Sequence, residues 1–195
     1  MSRRCYGQAA WATGEAMKGI IFNLLEEAVF EHLGDAVWDE LLDASGARGA
    51  YTSLGSYPDA EILALVGAAA AALGKSPAEV LRWFGQAAIP GMAKRYPALF
   101  NAHRGARDFL LVLNTIIHPE VRKLYPGAVC PHFRYQAQAE GMLVLGYNSP
   151  RKLCALAEGL ILGGAAHYGE TVSVQQRACM HDGAAACQLE VQWAS

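Results

Sequence analysis

The sequence predicts an α+β fold, with helices in roughly the first two thirds of the chain and most strands in the last third. Apolar residues recur at helical spacing between residues 20 and 117, whereas apolar and polar residues alternate in parts of 129–147 and 171–193. One further helical pattern, residues 151–168, lies between these runs. Helices followed by paired strands indicate the α+β class. A length of 195 residues with 53% apolar content suits one domain, alone or with a small appendage.

The first three predicted helices are bounded by glycines. A stripe of apolar residues predicts a helix from Ile20 that ends at Gly34, and a shorter helix around Trp38 that ends at Gly46. Residues 46–58 are rich in turn formers. Asp59 is expected to cap a third helix, which runs to about residue 73 and ends at Gly74.

The next helices are marked by prolines. Ser76-Pro77-Ala78-Glu79 has the spacing of a capping box and predicts a helix start, and a separate short helix is expected at residues 89–96. Residues 106–117 are apolar and predict another helix. Because the residue before a proline avoids helical geometry, His118 is expected at a helix end or kink, with Pro119 opening the turn of residues 120–125.

The last part of the chain predicts two hairpins and one helix. Residues 129–136 and 141–147 are expected to pair as the first hairpin, and residues 171–179 and 186–193 as the second. The helix of residues 151–168 separates them.

Composition excludes several classes of protein. The charged fraction is 17%, the formal net charge is −2 and no basic stripe is present, so nucleic acid is not an expected partner. No apolar stretch is long enough to span a bilayer, and residues 1–16 lack the apolar core of a secretory signal. We therefore expect a cytoplasmic protein without a membrane partner, whose five cysteines are thiols or metal ligands.

Tyr147-Asn148-Ser149-Pro150-Arg151 is the most informative motif. In extended backbone, residues two apart point to the same side, so Tyr147, Ser149 and Arg151 would present two hydroxyls and a guanidinium together. These donors suit carboxylates, and an upstream His118 could reach a metal. The combination suggests a porphyrin with two propionates and an iron. Taken singly, the same residues also fit a solvated strand edge and a capping or core histidine.

The chain resembles the heme nitric oxide/oxygen binding (H-NOX) family, which includes the gas-sensing domain of soluble guanylate cyclase. The resemblance extends from Met17 to about Trp193. The residues that carry it are Met17-Lys18-Gly19-Ile20-Ile21-Phe22-Asn23, His118, Leu124-Tyr125-Pro126-Gly127 and the Tyr147-x-Ser149-x-Arg151 motif.

The resemblance implies a b-type heme buried between a helical N-terminal subdomain and a C-terminal antiparallel sheet with helices. His118 would be the proximal iron ligand, Tyr147, Ser149 and Arg151 would hold the propionates, and Pro131 would distort the porphyrin. Residues 17–195 would form the H-NOX domain and residues 1–16 an N-terminal extension.

The distal pocket implied by the resemblance is apolar. The position that carries a tyrosine in O₂-binding members is Leu156 here, and the other distal positions are also apolar. We therefore expect ferrous heme that binds NO and CO and excludes O₂. The distal residues matched in this way are Ile21, Leu25, Met92, Leu156 and Leu160.

The expected output is signalling to a separate protein, because no kinase or cyclase motif is present in the chain. The family implies a histidine kinase or a cyclic-di-GMP enzyme as that partner. No enzymatic activity is expected, because the distal positions lack an acid–base group and no nucleophile lies in a recognisable motif.

Three cysteines predict a second site. Some family members hold zinc with cysteines at the positions of Cys154, Cys179 and Cys187 and a histidine at the position of Gln176. Because glutamine is a poor zinc ligand, His181 or a water would have to complete the site. The alternative is three core thiols or a redox-labile pair, which would make the chain a zinc or thiol redox-sensing module.

Overall fold

The computed structural model describes residues 16–137 and 141–194. Along the chain, the first elements are a short strand, β1 (Ala16–Lys18), helices α1 (Gly19–Leu33) and α2 (Asp35–Ser45), and strand β2 (Ser56–Pro58). Helices α3 (Asp59–Leu73), α4 (Pro77–Arg95), α5 (Pro97–Asn101) and α6 (Ala106–Leu111) follow. A π-helical segment (Leu113–Ile117) leads into α7 (His118–Leu124). The C-terminal part contains β3 (His132–Ala137), β4 (Met142–Asn148), α8 (Cys154–His167), β5 (Val172–Ala178) and β6 (Cys187–Trp193).

The sheet confirms both predicted hairpins, β3 with β4 and β5 with β6, and it also pairs one hairpin with the other. All pairs are antiparallel, in the order β3-β4-β6-β5, so β4 lies beside β6 rather than β5. Strands β1 and β2, which the sequence pattern did not indicate, form a separate two-stranded sheet. The mixture of helices and antiparallel strands confirms the α+β prediction.

Several predicted helix boundaries are confirmed by their caps. The left-handed region is occupied by Gly46 and Gly74, which close α2 and α3, and Gly34 has a φ of 96° after α1. At the start of α4, the Ser76 hydroxyl accepts from the Glu79 amide at 3.3 Å while the Glu79 carboxylate accepts from the Ser76 amide at 2.9 Å.

Two helix predictions need correction. Helix α4 continues without a break through Pro90, although a separate short helix was expected there. Helix α8 packs closely against α4 next to this proline: a Cβ added at Gly163 would be 2.9 Å from the Gln86 carbonyl oxygen and from the Ile89 side chain. The run at 106–117 is likewise α-helical only to Leu111, after which the turn widens to π-helix.

The described residues form two hydrophobic clusters that meet along α4 and α8. The first contains the buried faces of α1 to α4, and the second contains the inner face of the sheet with parts of α5, α6 and α8. Met92 on α4 and Val121 on α7 contact both clusters. The boundary between the two clusters, marked by Met92 and Val121, is called the joint below. A group buried between the N-terminal helical part and the C-terminal part with the sheet would lie there.

No single helix among the described residues has both the length and the hydropathy of a membrane span. Helices α3 and α4 satisfy that test only when they are joined, and the pair is bent by 107°.

Candidate functional site

His118 is the first residue of α7 and lies half-buried beside the edge strand β3. Its ring centroid is 6.0 Å from that of Phe133, at an interplanar angle of 29°. Burial, with a contribution from nearby Arg122, lowers the pKa of His118 to about 4, so the imidazole is neutral near pH 7. Its Nδ1 is buried and makes no hydrogen bond of standard geometry among the described residues, although the Pro131 backbone lies close enough to interact with the ring. A neutral imidazole with a buried, unused nitrogen has the character of a metal ligand.

Tyr147 lies on β4, directly opposite Phe133 in the register, and is only 2% exposed. Its ring is 5.7 Å from the Phe133 ring, so Phe133 lies between His118 and Tyr147. The Tyr147 hydroxyl accepts from the Leu153 amide at 3.0 Å, and burial raises the pKa of Tyr147. The tyrosine therefore joins β4 to the start of α8.

Ser149 and Arg151 follow in the turn after β4, not on the strand itself as expected. The strand ends at Asn148, since Pro150 has no amide to continue the ladder and Lys152 has a φ of 52°. The donors still converge: the Ser149 side chain contacts the Tyr147 hydroxyl and accepts from the Arg151 amide at 3.3 Å. Ser149 is 4% exposed.

The Arg151 guanidinium connects the C-terminal part of the molecule, where it follows β4, to the N-terminal helical part. Its Nε donates to Asp59 Oδ2 at 2.7 Å, one Nη to the Val129 carbonyl at 2.8 Å and the other to the Ala16 carbonyl at 2.7 Å. The Asp59 side chain was expected to cap α3, but it binds Arg151 instead, and Pro58 occupies the cap position. A buried guanidinium requires a counter-charge, which outweighs the benefit of a helix cap.

Pro131 and the five predicted distal residues lie on elements around the joint. Pro131 directly precedes β3, and its carbonyl faces the His118 ring. Leu25 is buried, whereas the other distal residues are partly buried and pack against one or both hydrophobic clusters. None of these five side chains has an N–H or O–H group. The distal residues are Ile21 and Leu25 on α1, Met92 on α4, and Leu156 and Leu160 on α8.

The three predicted cysteines lie together at the other face of α8. The sulfur atoms of Cys154, Cys179 and Cys187 are buried and lie within 4.8 Å of one another. Contact with the Cys187 thiol is the main cause that lowers the pKa of Cys154, and the Gln176 amide also contributes. His181 is not a member of this group of ligand atoms; its Nε2 lies 2.8 Å from the Lys152 carbonyl.

Sequence reasoning missed two residues near this site. The sequence around Asp59 predicts a helix cap, and no charge pattern in the sequence links it to Arg151. Asn114 lies within the apolar run of residues 109–117 and belongs to no motif, although it is the one residue of that run with a side-chain amide. Its two hydrogen bonds join it to the backbone of Phe133, whose ring lies beside His118.

Comparison with known proteins identifies the fold and the class of site. The Haem-NO-binding family matches residues 18–176. An H-NOX protein from S. oneidensis, solved in the Fe(II)NO state, is 34% identical, covers 92% of this chain and 100% of its own, and has a TM-score of 0.86. The same organism's H-NOX domain in the Fe(II)CO state covers 92% and 99% at 34% identity and a TM-score of 0.83.

A more distant H-NOX protein, from K. algicida in the unliganded Fe(II) state, is 25% identical. It covers 92% of this chain and 97% of its own, with a TM-score of 0.82. No curated protein sequence matches. The chain therefore belongs to the H-NOX family, whose members are heme-based gas sensors that bind gases such as NO and CO and act on partner proteins.

Proposed function

We propose that this chain, from about residue 17 to its end, is a heme b sensor that binds NO and CO and excludes O₂. The observation that carries the proposal is the neutral, half-buried His118, whose ring lies beside Phe133 of the second hydrophobic cluster and which begins α7, the helix whose Val121 contacts both clusters. Bound ferrous heme would supply an iron whose open position takes the gas. His118 would be the proximal ligand, and Pro131 would distort the porphyrin.

The propionates would be held by the cluster of Tyr147, Ser149 and Arg151. The two hydroxyls lie in contact with each other, and the guanidinium has the planar fork that suits a carboxylate. Arg151 would keep its contact with Asp59 and thereby tie the carboxylate edge of the porphyrin to the first residue of α3. The buried donors and the buried counter-charge support this assignment.

Exclusion of O₂ would follow from the five apolar distal side chains. Bound O₂ carries partial negative charge and is stabilised by a hydrogen-bond donor, whereas NO and CO depend on one much less. The lack of one such bond, at about 1–1.5 kcal/mol, costs roughly tenfold in affinity. Leu156 would decide whether bound O₂ finds a donor, because it occupies the position at which O₂-binding relatives carry a tyrosine.

Signalling would begin at His118 and end at a separate protein. Gas binding that weakens the hold on His118 would let α7, which begins at that residue, move relative to the sheet. A ligand can shift such an equilibrium only by its different affinity for the two states. The partner would be a histidine kinase or, as an alternative, a cyclic-di-GMP enzyme.

Heme loading of matched histidine variants tests the iron ligand. We expect red wild-type protein whose ferrous spectrum changes with NO and CO. His118→Gly should lose the native iron–histidine stretching band and regain a similar band with added imidazole. His32→Ala, which changes an exposed histidine on α1, should behave as wild type. Wild-type protein that takes up no hemin, or an unchanged band in His118→Gly, would refute the assignment.

Two substitutions at Leu156 test gas selectivity. We expect Leu156→Tyr to stabilise an O₂ complex, because the phenol adds one donor on the distal side. Leu156→Phe has nearly the same size without the hydroxyl and should remain unable to form it. The assay is the absorption spectrum of reduced protein exposed to air. A stable O₂ complex in wild type would contradict the proposal.

We also propose a zinc site at the three cysteines, which the close approach of their sulfur atoms favours. Thiolates are strong zinc ligands, and a fourth ligand would come from water or from His181. The site would stabilise the packing of α8 on β5 and β6 and would have no catalytic role. The competing reading is a thiol redox site, in which an oxidant would join two of the sulfurs.

Elemental analysis of protein purified under reducing conditions separates these two readings. We expect about one zinc per chain in wild type, in Cys130→Ser and, more tightly bound, in Gln176→His, and none in Cys179→Ser. No zinc in wild type, together with full occupancy in Gln176→His, would favour the thiol reading. An oxidant that forms a disulfide in the metal-free protein would support it further.

A further inference from the structure

The backbone immediately before His118 has an unusual hydrogen-bond pattern. The Ile117 amide donates to the Val112 carbonyl at 3.2 Å, and the His118 amide donates to the Leu113 carbonyl, so both bonds span five residues instead of four. Such π-helical turns are rare and occur often at functional sites. The wider turn rotates the residues that follow it relative to α6, and His118 is the first of these in α7.

Asn114 lies within this π-helical segment and binds the backbone of the edge strand β3. Its Nδ2 donates to the Phe133 carbonyl at 2.6 Å, and the Phe133 amide donates to its Oδ1 at 3.1 Å. A side-chain amide thus makes the two-bond exchange that a neighbouring strand would make with Phe133. Because β3 pairs with β4 on its other side, Asn114 covers the open edge at this residue.

Phe133 connects Asn114 to His118. Its backbone is held by Asn114, its ring is 6.0 Å from the His118 ring, and it faces Tyr147 across the sheet. Asn114 and His118 are four residues apart on the same helical stretch. The segment from 114 to 118 therefore contacts β3 at both ends. Asn114 makes the hydrogen bonds, and His118 makes the ring contact.

We propose that Asn114 is a positioning residue for His118 and the link by which movement of α7 reaches the sheet. This inference rests on the proposed function, since it gives that link a role in gas sensing. With both hydrogen bonds intact, His118 keeps a defined distance from β3. Without them, the π-helical segment and His118 can move while the sheet stays in place.

The test compares three variants in the heme-loaded protein. Asn114→Leu has a similar volume and loses both hydrogen bonds, and Asn114→Ser is a smaller change that serves if the first variant does not fold. Thr115→Val is the matched control, because its exposed neighbouring hydroxyl reaches only the Val112 carbonyl in its own turn, at 3.5 Å. The readouts are hydrogen exchange of the Phe133 amide, the iron–histidine stretching band, and the NO-induced change in exchange along β3 and β4.

We expect exchange of the Phe133 amide to accelerate about tenfold or more in Asn114→Leu, as the loss of one such bond implies. The iron–histidine band should shift or broaden, and the NO-induced change in the sheet should shrink, while Thr115→Val matches wild type. A wild-type band and a wild-type NO response in both Asn114 variants, even with faster exchange, would overturn the inference. So would unchanged exchange of the Phe133 amide.

Failure of the proposed function would be seen separately, as wild-type protein that takes up no heme. The positioning claim would then be judged on the His118 ring resonances in the same variants. Because the Phe133 ring shifts those resonances, Asn114→Leu should move them toward the values of an exposed histidine. Resonances equal to those of wild type would overturn the claim.

Discussion

Replacing Asp59 with alanine removes the counter-charge of the buried Arg151. The pair is almost fully enclosed, with side-chain exposures of 10% for Asp59 and 7% for Arg151, and its Nε–Oδ2 distance is 2.7 Å. The variant leaves the guanidinium in place with partners that include the carbonyls of Val129 and Ala16. Neutral carbonyl acceptors compensate a buried positive charge only in part.

The expected cost is about 3 kcal/mol, at the lower end of the range for breaking a buried ion pair, because the two carbonyls remain. For a domain of this size, that loss corresponds to a fall in the melting midpoint of roughly 6–12 °C. Asp59→Asn retains an acceptor for the guanidinium and removes only the charge, so we expect it to lie between wild type and Asp59→Ala.

The assay is urea unfolding of the reduced, CO-saturated protein, with the melting midpoint as a second measurement. Glu190→Ala is the control: it breaks the pair with Arg177, whose side chain is 54% exposed, and should change stability little. A loss below about 0.5 kcal/mol for Asp59→Ala would refute the reasoning, because it would mean that Arg151 needs no counter-charge. If Asp59→Ala and Glu190→Ala lowered the free energy of unfolding equally, the reasoning would also be refuted.

Two further predictions concern helix packing and capping. Gly159→Ala should destabilise the protein by about 3 kcal/mol or prevent folding, since its Cβ would lie 2.1 Å from the Arg82 carbonyl oxygen. Gly164→Ala on the same helix meets nothing within 4 Å and should leave the melting midpoint unchanged or raise it. Ser76→Ala removes the capping box and should lower the midpoint by about 2–4 °C, whereas an unchanged midpoint would show that Glu79 suffices to begin α4.

Local signals predicted most of the elements because their causes lie within a few residues. Gly46 and Gly74 end helices through their own φ angles, and Ser76 with Glu79 starts α4 through hydrogen bonds within one turn. Alternation of apolar residues placed the four strands of the large sheet. The family resemblance then assigned roles to His118 and to the motif that begins at Tyr147.

Contacts between distant segments could not be predicted in the same way. Pro90 would end most helices, yet α4 continues through it where it packs against α8. Asp59 carries the usual mark of a helix cap, and only the position of Arg151, 92 residues away, makes it a counter-ion. Pattern alone also did not show that β4 pairs with β6, because a strand's partner depends on the course of α8 between them.

The sequence by itself determined the class of fold, the family and the residues that carry its motif, since each depends on residue types at short spacing. Only the tertiary structure decided that Phe133 lies between His118 and Tyr147, that Arg151 joins the two halves through Asp59, and that Asn114 holds the edge of β3. The physical reason is that burial and hydrogen-bond partners are properties of the packed chain: a side chain acquires its pKa, its counter-charge and its fixed position only when distant segments enclose it.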